Sequence, residues 1–131
     1  MKKDCGPRKF VYKILGRSSC GIQTAAVLTS KDGRKIHQWG WNSAGNGFGM
    51  CAEAHAIRRA NPKRLKDATL TVAGRWKKTG NPVFCQPCED CFNLAKAVGI
   101  DTVEHTNKNG DWVVFQLKYV KLNLKKLKRR K

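Results

Sequence analysis

The sequence predicts an α/β fold: a mixed sheet of five short strands flanked by helices. Three observations predict it. Short alternating or apolar runs, bounded by Gly, Pro, Asn and Asp, recur along the 131 residues. Two stretches rich in helix formers, at 51–60 and 91–98, fall between those runs. Too few residues join the last two runs for a parallel crossover, so that pair is antiparallel. A hydrophobic content of 40% suits one domain with a modest core.

In chain order, residues 1–8 read as a basic lead-in broken by Gly6-Pro7. Phe10, Val11, Ile14 and Leu15 recur at helical spacing, which predicts a short helix from Lys9 to Leu15 ended by Gly16. Ile22 to Thr29 reads as a strand, Lys31-Asp32-Gly33 as turn chemistry, and Lys35 to Trp41 as the returning strand of a hairpin. Asn42 to Gly49 is loop. Cys51 opens the run CAEAHAIRRA, a helix stopped by Asn61-Pro62. Ala68 to Ala73 is a strand, and 74–86 a long loop. Pro87 sits where a first-turn proline is tolerated, and Cys91 to Val98 continues as a helix capped by Gly99. Thr102 to Thr106 and Asp111 to Leu117 form a second hairpin across Asn107-Lys108-Asn109-Gly110. The expected domain spans 1–117. The tail, 118–131, is strongly basic and suits either strand or helix.

The charge narrows the partners. Twenty-seven Lys and Arg against nine acids give a net charge of +18. Self-repulsion of that size points to a polyanionic partner, with simple solubility as the alternative. Lys2 and Lys3 lead into Asp4, Cys5, Gly6 and Pro7 rather than an apolar signal segment, and no apolar run is long enough to cross a membrane. The expectation is a cytoplasmic protein with no membrane partner. In a reducing compartment, six cysteines with a Cys-x-x-Cys pair suggest metal binding over disulfides. Cys5, Cys20 and Cys85 are expected as buried or incidental thiols.

The chemistry lies in Cys51-Ala52-Glu53 and, thirty-seven residues after Cys51, Pro87-Cys88-Glu89-Asp90-Cys91. Three thiolates leave a zinc ion one open position for water, and a nearby carboxylate can carry protons without occupying the metal. Both segments fall at predicted helix starts, where the helix dipole favours thiolates. In an ideal helix Glu53 lies about 200° round from Cys51, which sets it beside the open position rather than on the metal. The competing reading is a closed structural zinc with a fourth ligand from His55, Cys85 or His105.

On these residues the chain resembles the cytidine deaminase superfamily, from about Ser18 to Leu117. Ala25-Ala26-Val27-Leu28-Thr29 with Lys31-Asp32-Gly33 is similar to the first hairpin of free cytidine deaminases. Met50-Cys51-Ala52-Glu53 with Ala56-Ile57 is similar to their ligand helix, and the antiparallel last hairpin to that branch. The resemblance implies a three-layer α/β/α fold, zinc on Cys51, Cys88 and Cys91, and Glu53 as catalytic proton shuttle. The implied reaction turns cytosine into uracil and ammonia. Asn42 would bond the sugar and Ala52 would line the substrate site; as an alternative, Asn42 is an ordinary turn residue. Three departures stand out. The family's Phe before the first strand falls at Cys20–Gly21, its Glu two residues after the sugar-binding Asn is Ala44, and its Arg after the catalytic Glu is Ala54. His55 or a loop cation would then balance the thiolates, unless His55 is simply a packed histidine.

The missing Phe and Glu belong to recognition of a lone nucleoside. In their place the chain carries Arg75-Trp76-Lys77-Lys78, an aromatic between cations that could stack a base and hold phosphates, unless Trp76 is a core or lid residue. Lys125, Lys126, Lys128, Arg129 and Arg130 would add phosphate contacts. The sequence therefore favours a cytosine deaminase acting within RNA or single-stranded DNA. The alternatives are a free (deoxy)cytidine or nucleoside-analogue deaminase, and a non-catalytic zinc module that binds nucleic acid. Oligomeric state is not legible.

Overall fold

The computed structural model describes residues 6–43, 51–87 and 89–119. Helix α1 (Pro7–Ile14) leads into strands β1 (Ile22–Thr29) and β2 (Ile36–Trp41), and helix α2 (Ala52–Arg59) follows. Then come β3 (Thr69–Trp76), α3 (Glu89–Ala97), β4 (Thr102–Thr106) and β5 (Trp112–Gln116). The sheet order is β2-β1-β3-β4-β5. Only β3 and β4 pair in parallel, across the α3 crossover; β4 and β5 are antiparallel, as predicted.

The period-two pattern of the central strands makes the layers. Ala26 and Leu28 of β1, with Leu70 and Val72 of β3, face the α2 and α3 side, where Ala52, Ala56, Ile57, Phe92 and Ala95 complete the larger core. Ala25, Val27 and Ala73 face the other way and bury Val11, Ile14 and Leu15 beneath α1. Each fully buried Leu or Val contributes on the order of 1.5–3 kcal/mol. The result is the expected α/β/α sandwich.

Three boundaries differ from the sequence reading. Pro7 opens α1 instead of breaking the chain, because a proline at the first helical position loses no intrahelical bond. Gly16 lies within a 3-10 turn, Leu15–Arg17, that prolongs α1. The predicted loop at 74–86 is shorter than expected. Strand β3 runs on through Arg75 to Trp76, and the chain turns back so that Trp76 N–H donates to Asn81 O (2.9 Å). Residues 81–85 then return as an extended arm. Its anchors are Val83 N–H to Gly74 O (3.2 Å) and Cys85 N–H to Thr106 O (3.2 Å).

Under α1 the sheet carries a buried acid. Glu104 accepts from Arg8 through Nε (3.0 Å) and Nη2 (2.7 Å), and from Thr71 Oγ1 (2.7 Å). Arg8 also stacks over the Trp112 ring at 5.0 Å, which ties α1 to β4 and β5. On the opposite face β2 touches α2 at Gly40. A Cβ there would lie 2.5 Å from Ala56 N and 2.9 Å from Ala52 O, so only glycine lets the helix sit this close.

Candidate active site

Two helix starts meet on the α2–α3 side of the sheet. Cys51 is the N-cap of α2, with extended backbone (φ −71°, ψ 147°), and Glu53 lies in the first turn. Cys91 lies in the first turn of α3. The Sγ atoms of Cys51 and Cys91 and a carboxylate oxygen of Glu53 all lie within 4.8 Å of one another. The expectation that Glu53 stands 200° from Cys51 assumed that both are helical. Because Cys51 precedes the helix, that rotation does not apply, and the carboxylate stays beside the sulfurs.

Glu53 is buried, and burial pushes its carboxyl above the ordinary carboxylate range, against the pull of a hydrogen bond from its own backbone. Two thiols converging at helix N-termini, with a carboxylate beside them, fit a zinc site. Cys88, the third expected ligand, lies outside the described residues, as do Ala44 and the tail cations Lys125, Lys126, Lys128, Arg129 and Arg130. The strand-or-helix alternative for the tail falls there too.

None of the three alternative fourth ligands joins this group among the described residues. Nδ1 of His55 lies 3.1 Å from both N and O of Trp41, and its ring packs edge-on to that indole at 4.7 Å. His55 is therefore a packed histidine. Cys85 Sγ contacts Thr106 Oγ1 at 3.0 Å, and burial, outweighing that bond, pushes its thiol up. His105 is buried between Phe84 (edge-on, 5.5 Å) and Phe115 (stacked, 5.6 Å), with Nδ1 3.0 Å from Thr106 O.

Cys51, Ala52 and Glu53 line an open cavity of about 450 Å³, walled by Ile22, Thr24, Asn42, Ser43 and the arm residues Val83 to Gln86. That volume suits a nucleoside-sized ligand. Asn42 is held firmly. Its Oδ1 accepts from Thr24 N–H (2.9 Å) and Ser18 Oγ (2.6 Å), and its Nδ2 donates to Ile22 O (2.9 Å). One N–H remains to meet a ligand. Ser18, buried and unnoticed in the sequence, is the residue that orients this amide.

The basic-aromatic run divides. Strand alternation puts Arg75 and Trp76 on opposite faces, and Arg75 Nε donates to Gln23 Oε1 (2.8 Å) on the face away from the cavity. Lys77 and Lys78 are exposed beyond the strand end. Trp76 lines a neighbouring groove rather than the cavity itself. Phe84 is the aromatic at the cavity, 58% exposed and supplied by the arm. Nothing in the sequence singles it out, since the arm has no repeat or periodicity.

Fold and donor set together define an α/β/α domain with a metal site at two helix starts. The chain belongs to the family of the cytidine and deoxycytidylate deaminase zinc-binding region, which matches residues 11–106, and zinc is its cofactor. Among solved structures it is similar to the cytidine deaminase of Burkholderia pseudomallei, at 21% identity and TM-score 0.64, over 89% of this chain and 94% of that one. It is similar to the cytidine deaminase of Mycobacterium leprae, at 20% identity and TM-score 0.56, over 89% and 94%. The cytidine deaminase of Mycobacterium tuberculosis follows at 16% identity and TM-score 0.54, over 84% and 86%. At these identities the likeness establishes the fold. No curated protein matches the sequence. No helix among the described residues is long and apolar enough to cross a membrane.

Proposed function

We propose that the chain is a zinc-dependent hydrolytic deaminase that converts cytosine to uracil within RNA or single-stranded DNA, releasing ammonia. The observation that carries the chemistry is the grouping of Cys91 with Cys51 and Glu53, the latter two lining an open cavity. Cys51, Cys88 and Cys91 hold the metal in this reading, and Glu53 stays off it as the proton carrier. The metal, when bound, supplies the Lewis acid that makes water nucleophilic at neutral pH. Glu53 would take a proton from the attacking water and give it to ring N3. Oxygen adds at C4, a second proton reaches the amine, and the C4–N bond breaks, so that cytosine and water leave as uracil and ammonia. Burial keeps Glu53 out of bulk water, so its protons pass to and from the reacting groups. Asn42, held by Ser18 and Thr24, offers its remaining N–H to the sugar.

The polynucleotide part of the reading rests on electrostatics. A net charge of +18 far exceeds what a neutral nucleoside calls for, and it suits a phosphate backbone. A free cytidine or deoxycytidine deaminase is the second reading, favoured by the fold shared with proteins of that name. The test is ammonia release measured in parallel from cytidine, a cytosine-containing RNA, and single- and double-stranded DNA, with Glu53→Ala as control. Polynucleotide turnover should fall steeply between low and moderate salt while cytidine turnover barely changes. Activity confined to free cytidine overturns the main reading. Zinc binding without ammonia from any substrate leaves only the non-catalytic zinc module.

A further inference from the structure

Beside the substrate cavity lies a second, larger concavity of about 630 Å³, lined by Ile22, Trp76, Asn81, Pro82, Val83, Phe84 and Lys108. Ile22, Val83 and Phe84 line both, so the two concavities adjoin. Its apolar side chains are unusually bare: Ile22 is 40%, Trp76 49% and Phe84 58% exposed. These are half of the six large hydrophobic side chains exposed among the described residues, gathered in one place. Apolar surface concentrated beside a site is a binding surface more often than an accident of folding.

The fold makes the groove deliberately open. Trp76 ends β3 opposite Ile22 of β1, in register, and the tight return at Gly80 brings Asn81 and Pro82 alongside. Lys108 reaches the same groove from the β4–β5 turn. Lys77 and Lys78 follow Trp76 directly and are exposed. No acidic residue lines this concavity. Two exposed rings with lysines around them match the way proteins hold single-stranded nucleic acid, by stacking bases and neutralising phosphates.

We infer that this groove is a subsite for the nucleotide next to the target cytosine, its base stacked on Trp76 and Phe84 and its phosphate met by Lys108. The inference rests on the polynucleotide reading above and says where the strand runs. A second copy of the chain is the other conceivable occupant. Two surfaces of the same sign, on chains of net charge +18, repel each other and disfavour it.

The test uses the zinc-loaded full chain, Trp76→Ala and Lys108→Glu. Two probes contain no cytosine: fluorescein-labelled hexauridylate and hexathymidylate, followed by anisotropy. A third is a hexanucleotide with one cytosine, whose kcat/KM is divided by that for free cytidine. Trp76→Ala should weaken binding of both labelled probes about tenfold and lower the kcat/KM ratio by a similar factor. Lys108→Glu should reduce the salt slope of binding by about one. If the wild-type protein deaminates the hexanucleotide and neither variant differs from it, the groove assignment is wrong while the proposed function stands. If the wild-type protein acts on cytidine alone and binds neither probe, both are wrong. A homodimer in sedimentation that Trp76→Ala dissolves gives the groove to a second copy and overturns the inference.

Discussion

Gly40→Ala should damage the active site from the far side of α2. The added Cβ would stand 2.5 Å from Ala56 N, 2.9 Å from Ala52 O and 2.9 Å from His55 Cβ. Comfortable separations of such atoms are about 3.5–4.0 Å. Two of the three obstacles are helix backbone, so no rotamer change relieves them. The helix must withdraw from β2 by roughly 1 Å to restore contact distances. Overpacking of this kind costs about 1–3 kcal/mol, or a fall in Tm of ~4–12 °C for a domain of this size. Because Cys51 caps that same helix and Glu53 lies in its first turn, the shift also moves the reacting groups. A displacement near 1 Å costs on the order of a hundredfold in rate. Differential scanning calorimetry and ammonia release on the zinc-loaded variant read the two effects separately. Gly21→Ala is the control for Tm, since a Cβ there meets nothing within 4 Å. Gly40→Ala with Tm within 1 °C of wild type, or about full activity, would refute the claim that this one approach sets the helix position.

Glu53→Gln should retain zinc and lose on the order of 10²–10⁴-fold in turnover, whereas Cys91→Ser should lose zinc itself; elemental analysis beside the ammonia assay checks both, and a fully active Glu53→Gln would end the proton-carrier role. Arg8→Ala leaves Glu104 buried with Thr71 as its side-chain partner among the described residues. Arg8 is itself 39% exposed at its side chain, so the expected loss is about 1–2 kcal/mol, less than for a fully buried pair. The melting temperature should fall with zinc content unchanged, and an unaltered Tm would remove this pair from the account of how α1 is held. His55→Ala should leave zinc affinity intact at neutral pH, because its Nδ1 is engaged at Trp41; a drop beyond tenfold in competitive chelator titration would return the histidine to the metal's charge balance.

The sheet was legible because its strands alternate cleanly. Ala25 and Val27 against Ala26 and Leu28 already describe two opposed faces, and helices on both sides follow from that. The metal group was legible because Cys-x-Glu and Cys-x-x-Cys are local spacings that survive any error in element boundaries. What failed were judgements that depend on a long-range partner. Gly6-Pro7 reads as a breaker unless α1 has a surface to pack on. Residues 74–86 read as loop, yet Gly74 lets Val83 lie across β3: a Cβ would meet Val83 Cγ2 at 2.8 Å. Arg75 and Trp76 look like one basic-aromatic unit in sequence, and only strand alternation separates them. Ser18 and Phe84 act on the cavity from segments without pattern, so no local signal could have marked them.

The arm at 81–85 divides labour in this fold. Cys51, Glu53 and Cys91 sit at helix starts fixed by the core, while much of the mouth hangs on a single peptide stretch pinned at Gly74 and Thr106. Exchanging residues there redraws the entrance and leaves the reactive centre alone. Evolution, or an engineer, can thus retarget such an enzyme by editing a handful of neighbouring codons, without re-solving the chemistry.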